Sequence, residues 1–344
     1  MDHLAIDVGG RESQLCLRAP DGAIKEEKRA RTQDLPTYLA DLQPARVIIE
    51  ACAESFWLAD AAIAAGHEVR VVPSTLVRAL GVGSRSTKND RKDARVTSEA
   101  SCRIDLPSVH VPSPESRERK TLLSLRDCTV ASRTMMINAV RGWMRGNAIR
   151  LRRSGDVVSF PDRVRDAAPD APLHIARTLE LITTLTKQIV ETDRELRRMA
   201  NKDLVCTTLM SVPGIGPTTA VAFKATIDIA TRFENAHHVG SYIGLTPGEY
   251  ASSDKMHRTG ITKAGSPRLR WLLVQAAWAA RRTAPDDPMV LWSNKIEQRR
   301  GKKIAVIALA RKLAGILFAL WRDGTEYNPQ VASRSADAST EAAA

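Results

Sequence analysis

Four acids stand where strand and helix patterns would bring carboxylates together. Asp7 closes the apolar run Leu4-Ala5-Ile6, and Glu50 closes Val47-Ile48-Ile49. Asp90 and Asp93 stand three apart in Lys88-Asn89-Asp90-Arg91-Lys92-Asp93-Ala94. A carboxylate within a buried run is costly unless it is paired, hydrogen-bonded or bound to a cation. Two acids at i and i+3 of a helix address one point. Converging carboxylates repel unless cations lie between them. Hard oxygen ligands suit Mg²⁺, and two ions would clamp a phosphodiester during in-line displacement. Taken singly, each acid also reads as a strand or helix cap, Asp90 above all.

A second constellation lies in Gly244-Leu245-Thr246-Pro247-Gly248-Glu249-Tyr250-Ala251-Ser252-Ser253 and the basic stretch after it. Lys255, Arg258, Lys263, Arg268 and Arg270 surround the two serines with a field that favours phosphate. By composition this is a phosphate-binding loop, where a serine is more often a hydrogen-bond donor than a nucleophile. His237-His238 is the one adjacent histidine pair, and no histidine is assigned to a metal. The Asp7-Val8-Gly9-Gly10 turn also resembles a phosphate loop of actin-like ATPases, but no second glycine-rich loop accompanies it.

The elements that must position these residues follow from patterning. Runs at 4–8, 14–18, 23–29, 47–50 and 68–72 read as strands, with helices near 35–42 and 55–65. Three hairpin-connected strands, then helix, strand, helix, strand, make a mixed sheet of the ribonuclease H type, an order that also fits the actin and sugar-kinase core. In such a sheet the first and fourth strands are neighbours, so Asp7 and Glu50 would face the helix of Asp90 and Asp93. Pro107, Pro112 and Pro114 precede a long helix over 115–149. Ten Lys/Arg against three acids over 115–153 give it a positive face that includes Arg141, Arg145, Arg150, Arg152 and Arg153. After a Gly/Pro-rich break at 154–172, the helix 175–199 carries Ile182, Leu185, Ile189, Thr192, Leu196 and Met199 at 3-4-3-4-3 spacing. That is a coiled-coil seam, for a helix pair in one chain or a dimer. Val212-Pro213-Gly214-Ile215-Gly216 between two helices reads as a helix–hairpin–helix. Helices at 267–282 and 302–321 follow, and 331–344 reads as a disordered tail.

Composition narrows the partners. The 344 residues carry a net charge of +12, which makes a polyanion the first partner to consider. The five cysteines are scattered, with no C-x-x-C pair, and suit a reducing compartment. Asp2, Asp7, Arg11 and Glu12 do not fit a secretion signal, and Arg311 and Lys312 interrupt the longest apolar stretch. The expectation is a cytoplasmic protein with no membrane partner. Aromatic residues make up only 4%, which suits reading of a duplex backbone.

Ile6-Asp7-Val8, Ile49-Glu50-Ala51 and Lys88 to Ala94 resemble the RuvC-like, four-carboxylate domain of the DEDD insertion-sequence transposases. These are the bridge-RNA-guided recombinases, similar to a pilin-gene invertase. Val212 to Gly216, the Gly244-Leu-Thr-Pro247 to Ser252 loop and Ile261-Thr262-Lys263-x-Gly265 resemble that family's C-terminal domain. The ordered set spans roughly residues 3 to 325.

The resemblance implies four domains. A RuvC-like α/β metal-binding domain with the trailing basic helix covers 1–153. A linker and coiled-coil helix cover 154–204, a mostly helical transposase domain 205–330, and the tail 331–344. It implies that Asp7, Glu50, Asp90 and Asp93 hold Mg²⁺, two ions per site, and that Ser252 is the nucleophile, with Ser253 the alternative. A serine ester conserves phosphodiester energy, so a DNA 3′-hydroxyl can rejoin without ATP. It implies donor and target double-stranded DNA, a structured non-coding guide RNA, and a homodimer assembling to a tetramer. Arg141, Arg145, Lys255, Arg258, Lys263, Arg268 and Arg270 are the expected nucleic-acid contacts. The competing readings are a RuvC-like structure-selective nuclease using metal-activated water, and a non-catalytic nucleic-acid-binding protein.

Overall fold

The computed structural model describes residues 1–79, 90–151, 155–252 and 255–330, and only the backbone element for 78–79, 90–91, 249–252 and 255–258. Arg152, Arg153, Ser253 and the tail 331–344 therefore lie outside the described residues. So do the side chains of Asp90, Ser252, Lys255 and Arg258. The chain divides into two units, Met1–Pro112 and Ser113–Ala344.

The first unit holds β1 (Asp2–Asp7), β2 (Glu12–Arg18), β3 (Ile24–Arg31), α1 (Leu35–Asp41), β4 (Ala45–Glu50), α2 (Ser55–Ala64), β5 (Glu68–Val72), α3 (Ser74–Ala79) and α4 (Asp90–Arg103). The sheet order is β3-β2-β1-β4-β5. β2 runs antiparallel to β1 and β3, while β1, β4 and β5 are parallel. This is the mixed α/β sheet that the element order implies, consistent with the ribonuclease H type.

Alternation of side chains gives the sheet two buried faces. Leu4, Ile6, Val47, Ile49 and Val71 pack with Leu35, Leu39, Leu58 and Ala62 of α1 and α2. Ala5, Ile48 and Val72 point the other way, to Val77 of α3, Ala100 of α4 and Leu106. Buried His67 pins the first layer: its Nδ1 accepts from Ala45 N at 3.1 Å and its Nε2 reaches Leu39 O at 2.8 Å.

The second unit contains α5 (Pro114–Gly146), α6 (Phe160–Ala167), α7 (Leu173–Lys202), α8 (Leu204–Met210), α9 (Pro217–Ile227), α10 (Ala236–Ile243), β6 (Pro247–Ser252), β7 (Lys255–Ile261), α11 (Pro267–Thr283), α12 (Pro288–Arg300) and α13 (Lys302–Asp323). Capping residues start these helices in the ordinary way. Ser113, Ser266 and Asp287 each accept a first-turn amide, and each is followed by a proline at the start of its helix.

α13 lies at the centre, with Leu309, Leu313, Leu317 and Phe318 buried in the main core, and it packs on α10, α11 and α12. It is the one helix among the described residues long and apolar enough to cross a membrane. Its apolar face here fills a protein core.

α5 and α7 pair within the chain. Ile137, Val140 and Met144 meet Ile175, Leu179 and Ile182 at one end, together with Phe160 and Val164 of α6. Leu123 and Leu196 join the main core at the other end, so the two helices run antiparallel. The fully buried stripe on α7 is Ile175, Leu179, Ile182, Thr186, Ile189, Leu196 and Ala200. The seam read from the sequence contributes Ile182, Ile189 and Leu196 to it, and Leu185, Thr192 and Met199 are half-buried beside it. α7 also touches α6, α8 and α9, which widens the stripe beyond a two-helix seam. The unit division places α5 with the second unit, whereas the sequence reading attached this helix to 1–153. The α8–α9 connection is an inter-helix turn, with Val212 and Ile215 buried in the main core.

Candidate active site

β1 carries the first acid into place. Its register with parallel β4 pairs Ile6 with Ile49, so the next residues, Asp7 and Glu50, end adjacent strands side by side. Asp7 shares the parity of Ala5, and Glu50 that of Ile48, which is the face covered by α4. On that face one cleft is lined by Ala5, Ile6, Asp7, Glu50, Val77, Asp93, Ala94 and Thr97. Asp93 is 8% exposed and Thr97 7%. Asp90 begins α4 three residues before Asp93, on the same helical face.

The structure thus brings Asp7, Glu50 and Asp93 to one cleft. Among the described residues no three His, Cys, Asp or Glu side chains stand close enough to hold a metal ion outright. The donor set nonetheless has the chemistry for a hard divalent cation: all three are carboxylates, and the rest of the lining is apolar apart from Thr97. Like-charge repulsion between them is what a shared cation relieves.

Several residues besides the acids fix this geometry, and of these the sequence reading touched only Gly9. Gly9 follows Asp7 in a turn where an added Cβ would lie 2.3 Å from Glu12 O. The turn is tied by Thr32 Oγ1 donating to Gly9 O at 2.6 Å, and by the 2.8 Å bond between the Ser13 and Thr32 hydroxyls. α4 is clamped to the sheet by His3 Nδ1 to Ser101 Oγ at 2.8 Å. Arg18 Nε donates to Ser98 Oγ at 2.9 Å, and the Arg95 guanidinium grips the Glu27 carboxylate of β3 through two nitrogens. Burial, then the charge of Arg46, pushes the His3 imidazole below its ordinary pKa, so it serves as a neutral hydrogen-bonding group. The one local signal for any of this is the Gly9-Gly10 pair.

The serine of the second constellation sits on a β-hairpin inside the stretch read as a phosphate-binding loop. β6 and β7 pair antiparallel, with Ser252 opposite Lys255 and Glu249 opposite Arg258, and the register shifts between Pro247 and Glu249. At its foot Thr262 N donates to Thr246 O at 2.9 Å and Lys263 N to Gly244 O at 3.2 Å. Arg270 Nη1 donates to Ile243 O at 2.9 Å, to Gly265 O at 3.2 Å and to Ala264 O. Arg270 therefore builds the foot, and Arg268 pairs with Asp127 at 2.6 Å. Lys263 is exposed and holds a positive φ of 58°. Arg141 and Arg145 are exposed on α5, the former with its guanidinium 5.5 Å from the Phe160 ring centroid.

Gly265 gives the foot a direct test. Its φ is +68°, and a Cβ there would stand 2.0 Å from Tyr242 O. Gly265→Ala is expected to cost at least about 1–3 kcal/mol, the usual range for a strained backbone position. Urea unfolding of the full chain measures it, and an unchanged midpoint would show that the foot yields freely.

Two family profiles match the chain, the first running past Pro112 into α5. A family profile described as a DEDD transposase of the IS110 group matches residues 4–147. One described as the transposase IS116/IS110/IS902 family matches 206–289. The chain is 28% identical over 332 residues to the transposase for insertion sequence element IS1111A of Coxiella burnetii, covering 92% of this chain and 88% of that protein. It is 27% identical to the transposase for insertion sequence element IS1328 of Yersinia enterocolitica, covering 94% and 98%. A probable family 20 transposase of Pseudomonas aeruginosa is 29% identical, with 89% and 91% covered.

Proposed function

The chain belongs to the IS110 family of insertion-sequence transposases, and from that premise we propose that it is an RNA-guided DNA recombinase with a serine nucleophile. The observation that carries the reading is the meeting of Asp7, Glu50 and Asp93 in one cleft at the ends of β1 and β4. Asp7, Glu50, Asp93 and, from its place on α4, Asp90 are the residues to hold Mg²⁺. Bound there, Mg²⁺ supplies positive charge to the phosphate and the leaving oxygen.

The chain's own groups do the rest. Ser252 Oγ, losing its proton, attacks the phosphorus of a DNA strand. A phosphoserine bond forms, the bond to the 3′-oxygen breaks, and the strand leaves as a 3′-hydroxyl that takes up a proton. A different 3′-hydroxyl then reverses the step and releases the serine, so the number of phosphodiester bonds is conserved. Lys263 stands exposed beside the hairpin foot as a phosphate contact, and Arg141 and Arg145 offer a second basic face. Guidance by a structured RNA follows from the family resemblance and is supported by the net charge of +12. Assembly into dimers and tetramers is supported by Leu173, Leu181 and Val190, which α7 leaves exposed.

A covalent-adduct assay tests this. The protein is co-expressed with the non-coding RNA flanking its element, given labelled junction DNA and Mg²⁺, denatured, and mapped by peptide mass. DNA on Ser252 is the expected result, with none in Ser252→Ala. An adduct on Ser253 would move the nucleophile by one residue. Cleavage without any adduct, undiminished in Ser252→Ala, would replace the recombinase with a hydrolytic nuclease.

A further inference from the structure

This chain engages arginine after arginine with partners distant in sequence. Arg18, Arg95, Arg119, Arg126, Arg268 and Arg281 each hold an acid or a hydroxyl on another element. Other arginines, Arg282, Arg299 and Arg300 included, have no such partner among the described residues, but those on the C-terminal part of α7 share one open depression. Arg194, Arg197 and Arg198 line it with Glu191 and Asn201. All five are exposed, while Ile189, Leu196 and Ala200 turn the opposite side of the helix into the protein. Among the described residues the three arginines have no ion pair and no side-chain hydrogen bond. Residues at i, i+3 and i+4 are neighbours on a helix, so three like charges crowd one short stretch and repel.

Guanidinium groups at this spacing form a comb of planar forks, the geometry that takes phosphate oxygens two at a time. Asn201 adds a neutral amide donor at one end. Glu191, the one acid in the depression, stands at the other end. No aromatic side chain lines the depression, so it offers an unpaired base nothing to stack on. We propose that this face of α7 holds the sugar–phosphate backbone of duplex DNA, a contact separate from the hairpin loop and from Arg141 and Arg145. The choice of DNA rests on membership of a DNA transposase family. The contact needs neither the serine chemistry nor the carboxylate cleft.

The test uses the full chain and a fluorescent mixed-sequence DNA duplex longer than two helical turns, with anisotropy followed across a salt series. R194Q/R197Q/R198Q removes three charges while keeping good helix formers. Its plot of log K against log salt is expected to be shallower by about 2.7, which is about 0.9 for each lost phosphate contact. R194K/R197K/R198K should keep the original slope. R282Q/R299Q/R300Q removes the same charge from exposed sites on α11 and α12 and should change the slope by about a third as much or less. Equal slopes for the two glutamine variants, or no change in either, would overturn the proposal. A change seen with an RNA duplex and absent with DNA would overturn the assignment to DNA. Unaltered circular dichroism and melting of the variants separate loss of contact from loss of fold. Because the slope is read without cleavage, it stands or falls independently of an adduct on Ser252.

Discussion

Asp7→Asn is expected to leave the protein folded and able to bind DNA while reducing Mg²⁺-dependent strand cleavage by at least about a hundredfold. That floor is what loss of a mere supporting partner of a metal ligand can cost. Asp7 is a proposed ligand itself, so its loss should exceed the floor. Asparagine keeps the size of the side chain and one acceptor oxygen. What it removes is the negative charge, beside Glu50 on the adjacent strand and Asp93 across the cleft. Removing one of three neighbouring acids relieves repulsion and should not destabilise the first unit, whereas loss of a structural carboxylate would lower its stability. Cleavage of labelled junction DNA against Mg²⁺ concentration checks this, with urea unfolding beside it. Loss of activity, a higher Mg²⁺ requirement and retained or raised stability are the expected triad. Full activity in Asp7→Asn would end the metal reading, and lost activity with lost stability would return Asp7 to a structural role. Mn²⁺, which suits the same carboxylate and carbonyl oxygen donors as Mg²⁺, should recover part of the activity only if the defect is in metal binding.

How much of this was legible in the sequence depends on how local each signal is. The strand order follows from apolar runs closed by turn residues, and parallel pairing of β1 with β4 puts Asp7 next to Glu50 without further information. The contacts that seat α4 had no such signal. His3 finds Ser101 across 98 residues, Arg18 finds Ser98 across 80, and Arg95 finds Glu27 across 68. None lies within a repeating pattern, so only the folded sheet pairs them.

Shorter elements were missed for other reasons. α6 hides in the stretch read as a break because Pro161 looks like a breaker. In the structure it occupies the first turn of the helix, where a missing amide costs nothing, and Phe160 and Val164 are buried one turn apart. The β6–β7 hairpin reads as loop in the sequence because Pro247-Gly248-Glu249-Tyr250-Ala251-Ser252 lacks the apolar alternation of a half-buried strand. Pro112 and Pro114 flank the boundary between the two compact units, while the DEDD profile, like the sequence reading, runs on through the following helix to residue 147. The buried residues of that helix, Leu123 and Ile137 among them, belong to cores of the second unit, and which core an amphipathic helix joins is not written in its own periodicity.

The second large effect is expected at Asp203, where Asp203→Asn should destabilise the second unit by about 3–5 kcal/mol, the usual cost of removing one partner from a buried ion pair. The Asp203 side chain is 9% exposed and meets Arg119 of α5, itself 6% exposed, at 2.8 Å. Lys224 of α9 binds the same oxygen. The other oxygen accepts the amides of Val205 and Cys206 at 3.0 and 3.2 Å, which starts α8. One carboxylate thus joins α5, α8 and α9, and asparagine would leave two cations crowded against an amide. Burial works to raise the Asp203 carboxyl, but hydrogen bonds from Lys224, Arg119 and the Cys206 amide outweigh it and hold the group below its ordinary value. The same burial, with the Asp203 charge next, pushes the neighbouring Cys206 thiol up to about 12, so that cysteine stays protonated. Because the folded carboxyl is the stronger acid, its contribution is complete above the unfolded pKa of about 4 and disappears as pH falls through the folded value. Urea unfolding of wild type and Asp203→Asn over a pH series should therefore show a constant gap at pH 5 and above that narrows below about pH 4. A gap that stays flat to the lowest accessible pH would mean that Asp203 acts through helix capping and shape. A gap near zero at neutral pH would mean that Arg119 and Lys224 find water or other acids at no cost.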